Sequence, residues 1–96
     1  MRYNQPIEPV DLLHRASVLM RLAKEHDVDA HILSMSAMCC CTYALITIEG
    51  FRFGLSTRAD VDVTVKKLSK TSATHIARWS IDGMTYEFNA HEDTQS

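Results

Sequence analysis

The chain has 96 residues, a formal net charge of −2, 46% hydrophobic and 23% charged residues, which suits one globular domain over residues 1–96 that buries a single core without metal or disulfide support. So small a net charge sets up no long-range field for polyanions or anionic lipid, which removes bulk electrostatic binding of nucleic acid or membranes as a leading function. The three cysteines, Cys39, Cys40 and Cys41, are odd in number and adjacent, which fits no secreted disulfide framework and points to a reducing, cytoplasmic setting.

The opening stretch MRYNQPIEPVD is polar and carries proline, unlike a secretory leader. The longest apolar run is too short to span a bilayer. Residues 1–8 read as an extended lead-in. Pro9 suits the first helical position, where its missing N–H costs nothing, and a helix is predicted from there to about Glu25. Leu12, Leu13, Ala16, Leu19, Met20 and Ala23 form its apolar stripe. Val18 and Leu22 widen that stripe beyond what one sheet needs, so they are either covered by a loop or terminus or available to a partner. The helix ends at Asp27–Asp29, and AHILSMS follows as a strand. MSAMCCC is either a continuation of it or a tight connection.

Glu49-Gly50 lies between two hydrophobic runs and reads as a two-residue hairpin turn. Ile48 would then pair with Phe51, Ile46 with Phe53 and Ala44 with Leu55, giving one apolar face. Asp82-Gly83 is the stronger hairpin signal. It pairs Ile81 with Met84, Trp79 with Tyr86 and Ala77 with Phe88 on one face, and Ser80 with Thr85 and Arg78 with Glu87 on the other. Between the hairpins, Thr57 and Asp60 resemble a capping box, and Val61, Val65 and Leu68 make a helical stripe that ends in lysines suited to a helix C-terminus. The rival is a strand, because Val61, Val63 and Val65 also alternate; the cap and the lysines favour helix. Residues 91–96 are predicted to be a frayed tail. The expected fold is α+β: an antiparallel sheet of about five strands with two tight hairpins and two helices packed on one face, in the order α-β-β-β-α-β-β.

The sequence offers little chemistry. Zinc sites use cysteines spaced so that two can turn back on one ion, and adjacent cysteines do this badly, so core packing is expected for the triplet. His26 and His31 flank the first turn with Asp27 and Asp29, but without H-x3-H or HExxH spacing they read as capping groups. No catalytic motif and no phosphate-cradling glycine loop is present, and no cofactor is implied. Lys66, Lys67, Lys70 and Arg58 could form a basic helix face, although Asp60 and Asp62 weaken it. Most aromatic residues belong to the two apolar hairpin faces. Tyr43 and Leu45 are left on the opposite face, expected there with Thr47, Arg52, Ile76, Arg78 and Glu87, a mixture typical of transient protein interfaces.

The expected function is a non-enzymatic protein-binding module, a regulator or inhibitor of a larger complex such as those phages and mobile elements use against host defence. Its partner would be a protein meeting Tyr43, Leu45 and Arg52, the Val18/Leu22 flank, or the charged group Arg58, Lys66, Lys67 and Lys70. A bare edge strand also suits pairing of two copies into a homodimer. One alternative is nucleic-acid binding through the basic helix face, and another is a small thiol or metal-dependent enzyme.

Overall fold

A computed structural model of the chain describes residues 7–56, 58 and 60–93. Helix α1 (Pro9–Glu25) leads through a single 3-10 turn (Asp29–His31) into strands β1 (Ile32–Ala37) and β2 (Cys41–Ile46), helix α2 (Ile48–Gly54), and strands β3 (Asp62–Lys67), β4 (Ser72–Ile81) and β5 (Met84–Asp93). The five strands form one sheet in the order β1-β2-β5-β4-β3. Neighbours are antiparallel except β2 and β5, which run parallel at its centre. The α+β class, the five-stranded sheet and the pair of helices agree with the sequence reading. The observed order, α-β-β-α-β-β-β, does not.

Helix α1 begins at Pro9, as expected, and its end is set by Asp27. This residue takes a left-handed φ of +59°, which lets the Val28 N–H donate to Ala23 O at 2.9 Å and folds Val28 into the core. Such a reversal usually falls to glycine, with short polar residues the tolerated substitutes. The core-facing residues of α1 are Val18, Leu19, Leu22 and Ala23. Val18 and Leu22, the apparent surplus of the sequence pattern, are only 6% exposed each and belong to the core. Leu12 and Leu13 of the expected stripe are exposed instead, because burial is confined to the second half of the helix.

The Asp82-Gly83 turn forms as predicted. Both residues have positive φ, 51° and 76°, the conformation of the tight hairpin turns that match strand twist. Ile81↔Met84, Ser80↔Thr85, Trp79↔Tyr86, Arg78↔Glu87 and Ala77↔Phe88 are all observed partners. Strand β5 continues to Asp93, paired with Ser72, so His91–Asp93 are part of the sheet and not a frayed tail.

The Glu49-Gly50 hairpin does not form. The segment is helix α2, begun by Thr47, whose hydroxyl accepts a 3.1 Å hydrogen bond from the Gly50 N–H. This is the N-cap arrangement that threonine favours. Helical spacing turns Phe51 and Leu55 into the core and leaves Phe53 72% exposed, so the cross-strand pairs expected for Ile48, Ile46 and Ala44 are absent. The hairpin in this half of the chain is β1–β2, in which Met35 opposes Ala44 and Ser36 opposes Tyr43. Glycine is required in α2 for space. A side chain at Gly50 would strike the His31 ring, and one at Gly54 would strike the His26 carbonyl and Val28.

The second predicted helix is strand β3. Its β-branched alternation prevails because six consecutive residues find partners on β4, and the strand half-buries Val63 on the helix side of the sheet, with Val61 buried just before it. Thr57, the expected cap, lies outside the described residues. The shared core joins α1 (Leu19, Leu22) and α2 (Phe51) to the inner sheet face, where Ala44, Ile46, Phe88 and Ala77 lie. Full burial of an aromatic such as Phe88 contributes about 1.5–3 kcal/mol, and the Trp79 ring meets Phe88 edge-on at 5.6 Å.

Gly54→Ala therefore reverses the usual helix-propensity effect. Alanine for glycine in an exposed helix interior gains roughly 1 kcal/mol. Here the added methyl meets a backbone carbonyl that cannot move aside, and the substitution is expected to lower stability by about 1–3 kcal/mol. Chemical denaturation measures this, and an unchanged or raised midpoint would contradict the packing of α2 described above.

Candidate functional site

Helices α1 and α2 occupy one face of the sheet, and the residues registered on the other face lie outside the core. Residues directly opposite in neighbouring strands share a face, so the register alone lays out this open surface. One row crosses all five strands as Ser34, Leu45, Asn89, Ile76 and Thr64. The next row is Ser36, Tyr43, Glu87, Arg78 and Asp62. Tyr43, Leu45, Ile76 and Asn89 are half-buried by their neighbours. Arg78 Nε donates to Glu87 Oε2 at 2.8 Å, and this hydrogen bond, with the carboxylate charge, raises the Arg78 pKa further above its ordinary value. Toward one end, Thr74 Oγ1 and His91 Nδ1 are 3.0 Å apart. The result is a small apolar centre with a charged and hydroxyl-bearing margin. Asn89 Oδ1 lies shielded at that centre with no hydrogen-bond partner among the described residues.

The structure brings together only part of the expected site. Tyr43 and Leu45 are on the open face with Ile76, Arg78 and Glu87, as predicted. Thr47 and Arg52 are not: Thr47 caps α2, and Arg52 extends from α2 on the opposite side to an ion pair with Glu92. Val18 and Leu22 are core residues and offer no surface. The basic helix face does not exist. Strand alternation puts Lys66 on the open face beside Thr74 and Lys67 on the other face beside Ala73. Lys70 is in the turn between β3 and β4, and Arg58 pairs with Asp60 at 3.5 Å. Asn89, Thr74 and His91 were missed because the β4–β5 pairing was followed from the turn only as far as Ala77 and Phe88, whereas it continues to Ser72 and Asp93. Counting alternate positions from Glu87 gives Asn89 and His91, which pair with Ile76 and Thr74.

The cysteines also depart from the sequence reading. Cys39 and Cys40 are exposed in the β1–β2 turn and Cys41 is half-buried on β2, so the triplet is not core packing. The Arg15 guanidinium ties this turn to α1, donating to Met38 O at 2.5 Å and to Cys39 O at 3.1 Å. The Cys40 thiol is pushed up by its hydrogen bond with Cys39 and by that neighbour's charge; Cys41 is pushed up by burial and by Glu87. Raised thiols yield less of the nucleophilic thiolate. His26 and His31 are committed to local structure: His26 Nδ1 meets Leu22 O at 2.8 Å, and His31 Nδ1 meets Thr47 Oγ1 at 3.1 Å. Among the described residues no group of three or more His, Cys, Asp or Glu is placed to hold a metal ion. A groove of about 530 Å³ between α1 and the β4–β5 turn is lined by Asp11, His14, Arg21, Asp82 and neighbours, and these four are exposed.

A second polar group fastens α2 to the sheet. Glu92 on β5 takes His75 Nε2 at 2.8 Å with one carboxylate oxygen and Arg52 with the other. The Phe51 ring lies 5.5 Å from that of His75.

No family model matches the chain, and neither a curated protein nor a solved structure matches it. Among the described residues no helix is long and apolar enough to cross a membrane.

The His75 hydrogen bond is the main cause holding the Glu92 carboxyl below its ordinary value; burial, the next in size, opposes it, and the Arg52 charge and hydrogen bond add to the lowering. A carboxylate whose pKa falls on folding stabilises the fold above the unfolded-state value, roughly 4.3 for glutamate. That stability is lost as pH drops through the lower folded-state value. Glu92→Gln is therefore expected to lower the melting temperature at neutral pH and to converge with the unchanged protein in acid. A pH-independent difference in thermal unfolding would contradict this role for Glu92.

Proposed function

We propose that the protein is a non-enzymatic binding module that docks a protein partner on the open sheet face, as a regulator or inhibitor of a larger assembly. The observation that carries this reading is the composition of that face. Tyr43, Leu45 and Ile76 form an apolar centre around Asn89, with Arg78, Glu87, Thr64 and Ser36 at the margin. Protein interfaces have this plan of a central anchor, aromatic where possible, within a polar rim. The Asn89 Oδ1, without a hydrogen-bond partner among the described residues, offers an acceptor to a docked partner at the centre of the patch. The separation of Lys66 from Lys67 and the raised Cys40 and Cys41 thiols give no comparable support to nucleic-acid binding or thiol chemistry.

Affinity capture from native host extract, with the partner identified by mass spectrometry, tests the proposal. Leu45→Glu and Ile76→Glu are expected to fold normally and to weaken binding of the captured protein at least about tenfold, or 1.4 kcal/mol. Binding should change little with salt, because the patch centre is apolar. Affinity that falls steeply with salt and disappears on nuclease treatment would instead indicate phosphate recognition and overturn the proposal.

A further inference from the structure

The sheet has two outer strands, and they are not equivalent. Strand β1 (ILSMSA) is broken by a register shift between Ile32 and Ser34, and it carries no charge. A bulge of this kind twists an edge and hinders further pairing. Strand β3 (DVTVKK) pairs regularly with β4 from Asp62↔Arg78 to Lys67↔Ala73 with no shift, and no described strand pairs with its far side. Val65, although it is β-branched and on the helix side of the sheet, is 53% exposed, and Leu68 beyond it is 57% exposed.

We infer that β3 is the dimerisation edge of this protein: two copies pair antiparallel through β3 about a twofold axis at Thr64. An axis perpendicular to the sheet keeps both open faces on one side, so opposed residues must be of the same parity in the strand. With the axis at Thr64, Asp62 of each copy opposes Lys66 of the other, Val63 opposes Val65, and Thr64 opposes itself. The symmetry makes the Asp62–Lys66 and Val63–Val65 contacts twice each. Both ion pairs fall on the open face and both valine pairs on the helix face. Neighbouring registers lose this match. An axis at Val65 sets Lys67 against Val63, and an axis at Val63 leaves only Asp62–Thr64 paired within the strand.

The charges are available for this use. Arg78, which flanks Asp62 on β4, is hydrogen-bonded to Glu87 at 2.8 Å, and neither Asp62 nor Lys66 forms a salt bridge among the described residues. The pairing does not depend on what the open face binds. It would join two such faces into one continuous surface, which suits a partner that is itself symmetric or repeated. The contrary use of edge lysines is to repel other strands and keep a protein monomeric, and the two predict opposite outcomes.

Sedimentation velocity over a concentration series at low salt decides between them. The unchanged protein is expected to move from the 10.9 kDa chain mass to twice that value as concentration rises. Asp62→Lys and Lys66→Asp each place like charges opposite one another twice, and each is expected to weaken association about tenfold or more. The double exchange, Asp62→Lys with Lys66→Asp, restores the pairs and should restore the dimer. Hydrogen exchange on the unchanged protein provides a readout that needs no variant: amides of Asp62–Lys67 gain protection with concentration, and those of Ile32–Ala37 do not. A protein that stays monomeric, single variants that dimerise normally, a double exchange that fails to recover, or protection gained on β1 would each overturn the inference.

Discussion

The close seating of α2 against the sheet is the contact on which the rest of the structure depends. Gly50 lies under the His31 ring and Gly54 under the His26 carbonyl, so the short helix descends far enough for Phe51 and Leu55 to be fully buried. Glu92 then holds it from the sheet side through Arg52. This turn of helix carries the chain away from β2, and the β3–β4–β5 meander that follows returns β5 to β2 in parallel. Parallel neighbours require such a long connection. With both helices on one face, the other face is left with Tyr43, Leu45, Ile76 and Asn89.

The same glycines explain the principal misreading of the sequence. A glycine between hydrophobic runs signals a turn when it supplies positive φ, but here the missing side chain supplies clearance. Two signals for helix were present, the Thr47 cap and the i, i+4 spacing of Phe51 and Leu55, and either would have separated Phe53 from the core. At Asp82-Gly83 the glycine does supply positive φ, and the β4–β5 register from Ile81↔Met84 to Ala77↔Phe88 was legible from the turn and the alternation, while its continuation to Asp93 was not. For residues 62–67, local signals conflicted. Lysines near the end of the segment suggested a helix terminus, while Val61, Val63 and Val65 favoured a strand. The outcome was set by non-local pairing with β4, which no short window of sequence contains. Helix α1 was readable from Pro9 to Glu25, but which half of it would meet the sheet was not.

The open face was legible in outline and incomplete in detail. Tyr43 and Leu45 followed from strand parity, whichever element came next. Arg52 was placed there only because the hairpin was assumed, and it moved to the other face when that segment became helix. The basic cluster dissolved for the same kind of reason: Lys66 and Lys70 share a side in a helix, whereas Lys66 and Lys67 take opposite sides in a strand. What remains is a molecule whose titratable groups serve mainly as fasteners. His26 and His31 hold the turn before β1, Glu92 holds α2, and Glu87 holds Arg78.

The central claim is that both helices cover one and the same sheet face and neither covers the other, and interproton contacts measured by NMR test it most directly. Helical amide contacts should run through Ile48–Gly54, the Phe51 ring should contact His75, whose ring centre is 5.5 Å away, and Tyr43, Leu45 and Ile76 should show no contact with either helix. Contacts from those three residues to α1 or α2, or cross-strand contacts between Ile46 and Phe53, would contradict the account.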